Sequence, residues 1–351
     1  MNHFDIKRFH MREKFNPYII AEIGVNHEGD IALAKRLIRE AKDGGAHAAK
    51  FQSYKANKIA SKNSPAYWDQ SKEPTDSQFK LFQKYDGFGE AEYKELAEYC
   101  RTLGIDFMST PFDLDAVDFL APLMPAFKIA SADITNVPLI RKCAGTGKPL
   151  IISTGAATLS EIELALTTAK QAGARNVALL HCVLNYPTPE ENAELDAIDL
   201  LAKTYPNVII GYSDHVCPDE TISALEVATL KGAQILEKHF THDKSLPGND
   251  HYHAMNKNDL SNFVSKINTY RLLCGVGQKN VTNESNARLH ARRSIVAHGN
   301  IKKGEVFSEN NLICKRPAHG ISPIHWDDII GKVAAKNIDD DVLLRWEDIG
   351  V

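Results

Sequence analysis

From residue 18 to about residue 274 one pattern recurs along the chain. A short apolar, β-branched run gives way to a polar turn, then to a stretch with apolar residues at three-to-four spacing. The runs predict strands over 18–24, 48–54, 106–111, 126–131, 149–155, 177–183, 208–215 and 235–241. The periodic stretches predict helices over 31–43, 92–103, 114–123, 137–144, 159–172, 197–204, 221–230 and 258–273. Gly44, Gly104, Gly145, Gly173 and Gly232 stand where left-handed helix caps are wanted.

Strands alternating with helices imply parallel pairing through right-handed crossovers. Near-continuous apolar runs such as VALLHCV and PLIISTG imply burial on both faces. Eight such units close naturally into a (β/α)8 barrel of about 250 residues. The alternative, an open doubly wound sheet, usually carries a GxGxxG turn after its first strand, and GVNHEGD lacks that form. Residues 55–90 form a long polar insertion carrying Pro65, Tyr67, Trp68, Pro74 and Tyr85. Such a segment reads as a partial lid or an oligomer contact. The organisation expected is an N-terminal tail over 1–16, a barrel over 17–274, a linker over 275–290, and a small α+β or mostly β domain over 291–351.

Composition narrows the partners. The 351 residues are 43% hydrophobic and 25% charged, with Gly 21 and Pro 15, which excludes a disordered or collagen-like chain. Lys+Arg 41 against Asp+Glu 45 leaves no basic surplus, so nucleic acid is not an expected partner. No apolar stretch approaches a membrane span of about 20 residues, and the polar start lacks a signal-peptide core. The six cysteines are widely spaced and read as reduced thiols of a cytoplasmic protein.

In such a barrel the chemistry sits at the C-terminal strand ends, and the polar residues of these apolar strands collect there. Strand one offers Glu22, followed by Asn26 and His27; strand two Lys50 and Gln52; strand three Ser109 and Thr110; strand four Lys128 and Ser131. Strand five ends in Ser153 and Thr154, strand six leads to Asn185 and Tyr186, strand seven ends in Ser213, Asp214 and His215, and strand eight carries Glu237, Lys238 and His239. Lys50 and Lys128 among hydroxyls describe a site for phosphate and carboxylate oxygens; alternatively, each lysine pairs with a barrel carboxylate such as Glu22 or Glu237. His215 and His239, on adjacent strands beside Glu22, suit a divalent transition metal, although a single histidine is more often a hydrogen-bonded structural residue. Asp250-His251-Tyr252-His253 offers further donors.

The segments IIAEIGVNHEGD (19–30), AAKFQS (48–53), MSTPFD (108–113), FKIAS (127–131), IISTG (151–155), NYPTP (185–189), GYSDH (211–215), LEKHFT (236–241) and LPGNDHYHAMN (246–256) resemble the sialic acid (N-acetylneuraminate) synthase family. The tail, with IKKGEVFSENNL (301–312), KRPAHGISP (315–323) and IIGKVAAKNI (329–338), looks like the antifreeze-like (SAF) domain that closes those enzymes. The resemblance implies a TIM barrel followed by that small domain. It also implies condensation of phosphoenolpyruvate with the open-chain form of an N-acetylmannosamine-type sugar, giving a nine-carbon 2-keto acid and phosphate. It further implies a divalent metal, Mn²⁺ with Mg²⁺ or Co²⁺ as substitutes, held by His215 and His239, with Glu22 managing the water. Phosphoenolpyruvate falls to Lys50, Thr110, Lys128, Ser131, Ser153 and Ser213, and the sugar to Gln52, Tyr186, Glu237 and Asp250. Arg316 is expected to reach a partner subunit's site in a domain-swapped homodimer.

The chain departs from that pattern at Leu184, where relatives often carry a polar residue, at LPGND in place of RPGPD, and at KFQSYKA in place of KHQTH. The last two lie where the sugar binds, which admits a deoxy, diacetamido sugar of the legionaminic acid type. Two other functions share the residues. A Schiff-base aldolase would use Lys128 or Lys50 as nucleophile without a metal, and a catalytically silent sugar- or ice-binding protein would rest on the tail alone.

Overall fold

A computed structural model describes residues 15–350 apart from residues 220 and 249. The tail read over 1–16 lies outside the described residues except for its last two. The chain divides into two units, the first ending at Cys274 and the second beginning at Gly275.

Among the described residues of the first unit, eight strands form one sheet: β1 (Tyr18–Gly24), β2 (Ala48–Ser53), β3 (Asp106–Pro111), β4 (Phe127–Ile129), β5 (Leu150–Ser153), β6 (Val177–Cys182), β7 (Ile209–Asp214) and β8 (Ile235–His239). Their order is β3-β2-β1-β8-β7-β6-β5-β4, and all the ladders are parallel. The end strands β3 and β4 run side by side, so the sheet is a nearly closed barrel rather than an open doubly wound sheet. At that seam the Ser109 amide donates to Met124 Sδ at 3.1 Å. Helices Ile31–Gly44, Glu90–Leu103, Leu114–Leu120, Val137–Gly145, Leu159–Gln171, Ala197–Thr204, Ala224–Leu230 and Lys257–Cys274 accompany the strands. Ala224 opens its helix because Ser223 and Glu226 form a capping box, three residues later than the apolar period predicts. Gly104, Gly173 and Gly232 take left-handed φ as expected. Gly44 and Gly145 instead close their helices, and the left-handed turn passes to Gly45 and Gly147.

Strand alternation builds two layers inside the barrel. Ile20, Ala48, Met108, Ala126, Ile151, Leu180, Ile209 and Ile235 belong to one buried interior cluster. Two positions further along the same faces come Glu22, Lys50, Thr110, Lys128, Ser153, Cys182 and Glu237; Ser213 stands four past Ile209. An apolar floor therefore carries a polar layer at the C-terminal end. The opposite faces (Ile19, Ala21, Phe51, Phe107, Ile152 and Leu179 among them) pack on the helices.

Residues 55–90 are not an irregular loop. They contain short helices Ala56–Ile59 and Gln78–Tyr85. In QFKLFQKY the residues Gln78, Leu81, Phe82 and Tyr85 recur at helical spacing and face one cavity.

The second unit pairs β9 (Ser294–Ala297) with β10 (Leu312–Lys315) antiparallel. Its own core comprises Ile295, Ala297, Ile301, Phe307, Leu312, Ile321, Ile329, Ala334, Ile338 and Leu344. The segment read as a linker over 275–290 carries an exposed helix, Ser285–His290. No helix among the described residues is long and apolar enough to cross a membrane.

Candidate active site

The polar layer lines a cavity of about 290 Å³ at the barrel's C-terminal end. Glu22, Lys50, Gln52, Thr110, Lys128, Ser131, Ser153, Tyr186, Ser213, His215, Glu237, His239 and Asp250 all face it. These are the residues singled out in the sequence, apart from Arg316. Arg316 is exposed in the second unit, just past β10. Three other strand-end groups named there point elsewhere, while Asn26 lines the same cavity. Ser109 Oγ is bonded to Ser53 Oγ at 2.7 Å, Thr154 donates to the Leu180 carbonyl, and Lys238 is paired with Asp214 at 2.7 Å.

The ends of the strands are shaped for this. The β1–β2 register slips between Glu22 and Gly24, where Gly24 takes φ +56°. A bulge of this kind re-aims the strand end, and a Cβ on Gly24 would lie 3.2 Å from Gln52 Nε2 and 3.5 Å from Glu22 Oε1. Across the barrel the Gly155 amide donates to Ser131 Oγ at 3.0 Å. A Cβ on Gly155 would meet Ser131 Oγ at 2.8 Å and the Leu184 amide nitrogen at 3.1 Å, so backbone itself forms this corner.

The two lysines are not free cations. Lys50 Nζ lies 2.5 Å from Glu22 Oε2, 3.0 Å from Thr110 Oγ1 and 3.6 Å from Glu237 Oε1. Lys128 Nζ lies 3.5 Å from the same Glu237 oxygen and donates to the Ile129 carbonyl. The pairing weighed as the alternative is therefore the arrangement present, because four charges buried this deeply must compensate one another. The environments nevertheless separate the two carboxyls. Burial, reinforced by Glu237, pushes the Glu22 carboxyl up to about 7 despite Lys50. Glu237 is equally buried, yet Lys128, Lys50 and His215 hold it below the usual carboxylate range. Burial pulls the Lys128 ammonium down, while the carboxylates facing Lys50 hold that ammonium up against the same burial. A carboxyl poised near neutrality beside one kept ionised is the usual signature of divided acid–base and electrostatic roles.

The histidines converge on the other side. The His215 and His239 rings lie 5.6 Å apart, and Tyr186 packs on His215 at 4.0 Å. His215 Nδ1 faces the Val183 carbonyl at 2.7 Å. A carbonyl only accepts, so Nδ1 carries a proton, and in the neutral ring Nε2 is then the lone-pair atom that can ligate a metal. A tighter donor group, not singled out as a set in the sequence, is His239, Asp250 and His253, with one donor atom from each within 4.8 Å of the others. The donor types present fit a divalent cation.

One wall of the cavity comes from the insertion. Ile59, Tyr67, Trp68, Leu81, Phe82 and Tyr85 line it, and Tyr54 joins Phe82 edge-on at 5.2 Å. Glu73, 3% exposed, ties this wall together. Its carboxylate accepts from Lys84 Nζ at 2.5 Å and the Thr75 amide at 3.0 Å, while Trp68 Nε1 donates to its carbonyl at 2.9 Å. Glu73→Ala is expected to raise about tenfold the KM of the substrate that contacts this wall, the scale of one lost buried contact, and to leave the KM of a substrate held at the lysines unchanged. Steady-state kinetics varying each substrate separately check this, and equal rises in both constants would contradict it.

Comparison with known proteins agrees with this geometry. The NeuB family model matches residues 37–279, and the SAF domain model matches residues 292–350. The N,N'-diacetyllegionaminic acid synthase of Campylobacter jejuni is 41% identical over 333 residues, covering 93% of this chain and 98% of that one. The enzyme of the same name from Legionella pneumophila is 38% identical over 340 residues, covering 95% and 94%. The crystal structure of N-acetylneuraminic acid (sialic acid) synthetase from Leptospira borgpetersenii, in complex with citrate, superposes with a TM-score of 0.68 at 35% identity, covering 78% of this chain and 92% of that one. Matched over most of its barrel and aligned nearly end to end with such relatives, the chain belongs to the NeuB family, the phosphoenolpyruvate-dependent condensing enzymes that make nonulosonic acids, and it carries a C-terminal SAF domain.

Proposed function

We propose that this enzyme condenses phosphoenolpyruvate with 2,4-diacetamido-2,4,6-trideoxymannose, giving N,N'-diacetyllegionaminic acid and phosphate, rather than using N-acetylmannosamine. The observation that carries this reading is the insertion's apolar wall of Ile59, Tyr67, Trp68, Leu81, Phe82 and Tyr85. A sugar with a C6 methyl and two acetamido methyls would lay apolar surface against these side chains, whereas hydroxyls at those positions would lose water and find few partners beyond the Tyr67 and Tyr85 hydroxyls. Two relatives at 38–41% identity bear the corresponding name.

In this reading Lys50, Thr110, Lys128, Ser131, Ser153 and Ser213 hold the phosphate and carboxylate of phosphoenolpyruvate. Gln52, Tyr186, Glu237 and Asp250 orient the open-chain sugar. A divalent cation, Mn²⁺ first with Mg²⁺ or Co²⁺ as substitutes, would be held by His239 with His215 and would polarise the aldehyde oxygen. C3 of phosphoenolpyruvate attacks the aldehyde carbon, and C2 becomes electron-poor. Glu22 takes a proton from the water that adds to C2, matching the proton required at the former aldehyde oxygen. The tetrahedral adduct then loses phosphate by C–O cleavage as its hydroxyl becomes the ketone. The ammonium groups stabilise the charge that gathers on the departing phosphate. A homodimer in which Arg316 completes a partner's site belongs to the same reading, supported by the exposure of Arg316. So does a cytoplasmic location, supported by six free thiols.

The test is phosphate release with Mn²⁺ and phosphoenolpyruvate, comparing the two sugars. The diacetamido sugar is expected to have a kcat/KM at least tenfold higher, since each buried methyl is worth about 10–200-fold in an apolar pocket. A preference for N-acetylmannosamine would refute the sugar assignment, and no phosphate with either would refute the reaction.

A further inference from the structure

His253, one of the further donors in the run after strand eight, is a buried group that the mechanism does not use. It has no exposed surface, and neither of its ring nitrogens has a hydrogen-bond partner. A neutral imidazole carries one donor and one acceptor, and leaving both unsatisfied in the interior is costly. A histidine kept only for packing would normally bond at least one of them.

Its surroundings say what would satisfy it. The ring lies 4.9 Å from that of His239 and 6.3 Å from that of His215. His239 Nδ1 is also unpartnered and stands 3.7 Å from Asp250 Oδ2. One donor atom from each of His239, Asp250 and His253 falls within 4.8 Å of the others. Donors bound at about 2.0–2.2 Å to one ion are at most about 4.4 Å apart, so a small inward closure brings all three onto it. Two imidazoles and a carboxylate on one side, with the remaining positions open, form a donor set that first-row divalent ions accept.

We propose that His253 is a direct ligand of the divalent cation, forming a two-histidine, one-carboxylate set with His239 and Asp250. His215, whose ring lies 5.6 Å from that of His239, remains available through its Nε2. The inference rests on the metal-dependent reading above, and the test separates the two.

Mn²⁺ binding to the full chain without substrates, followed by the electron paramagnetic resonance of free Mn²⁺, is compared for the wild type, His253→Ala and His253→Gln. Visible spectra of the Co²⁺-loaded proteins give a readout that packing alone would not move. Both substitutions are expected to weaken Mn²⁺ binding at least tenfold and to shift the Co²⁺ bands. Should His253→Ala fail to fold, His253→Gln keeps most of the side-chain volume and carries the comparison. Wild-type affinity and an unchanged Co²⁺ spectrum in the folded variants would overturn the assignment of His253 alone. A wild-type chain that binds no Mn²⁺ would overturn the metal reading and this inference with it.

Discussion

Glu22→Gln is expected to lower turnover by about 10²–10⁴-fold, the contribution of a positioned general base, while phosphoenolpyruvate still binds. The substitution is close to isosteric. The Gln52 amide, which donates to Glu22 Oε1 at 3.0 Å, still finds a carbonyl oxygen there. Lys50 loses its closest carboxylate but retains Thr110 at 3.0 Å and Glu237 at 3.6 Å. A lysine relieved of Glu22 is, if anything, freer to meet phosphate oxygens. In the proposed mechanism the missing function is proton removal from water at C2. The Glu22 carboxyl is held up near 7 by burial, and a base works only when ionised. Wild-type kcat/KM should therefore fall as pH drops through that value, and the limb should vanish from the residual activity of Glu22→Gln. Single-turnover phosphate release and calorimetric titration with phosphoenolpyruvate measure the two halves separately. Near-normal turnover would remove Glu22 from the mechanism, and loss of binding would make it a phosphoenolpyruvate-site residue.

The barrel and most of its site were legible because both follow from short-range pattern. A residue such as Ile20 on the inward face makes Glu22 inward too, and the same parity carries Ile151 to Ser153 and Ile235 to Glu237. It also explains why Lys238, one position out of phase, turns to Asp214 instead. The pairing of Lys50 with Glu22 was open in the sequence because it depends on which strands are neighbours and on how far each register is staggered. The helix at Gln78–Tyr85 had a visible signal in the spacing of Gln78, Leu81, Phe82 and Tyr85, masked by the polar composition around it. His253 had none. Its significance comes from lacking partners, and that requires every surrounding side chain to be placed first.

Lys50→Met is expected to cost stability as well as substrate. Lys50 is 2% exposed and stands between Glu22 and Glu237, themselves 3% and 6% exposed. Methionine fills similar volume but supplies no charge, so only Lys128, 3.5 Å from Glu237, remains to offset the two carboxylates. Breaking a buried pair by removing one partner costs about 3–5 kcal/mol, because the remaining charge keeps its desolvation penalty and loses its compensation. Glu22 can shed part of that penalty by taking up a proton. Its folded-state carboxyl, already raised to about 7 in the wild type, is then raised further, so the folded variant binds more protons than the unfolded chain over a wider pH range. The deficit of Lys50→Met relative to wild type should accordingly be small near pH 5 and grow as pH rises, levelling once the folded-state carboxyl ionises. Adding Glu22→Gln removes the uncompensated charge and should restore part of the loss, with a coupling of about 0.5–3 kcal/mol for groups in direct contact. Urea unfolding of the four proteins of this cycle at pH 5.5 and 8 measures both effects. Strict additivity would mean that the 2.5 Å contact contributes nothing to stability. Phosphoenolpyruvate affinity should not recover in the double variant, where it should stay about 10–100-fold below wild type for want of a charged donor. That contrast would separate two duties of one ammonium group: neutralising Glu22 restores the charge balance of the barrel, but not the hold on phosphate that the proposed mechanism assigns to Lys50.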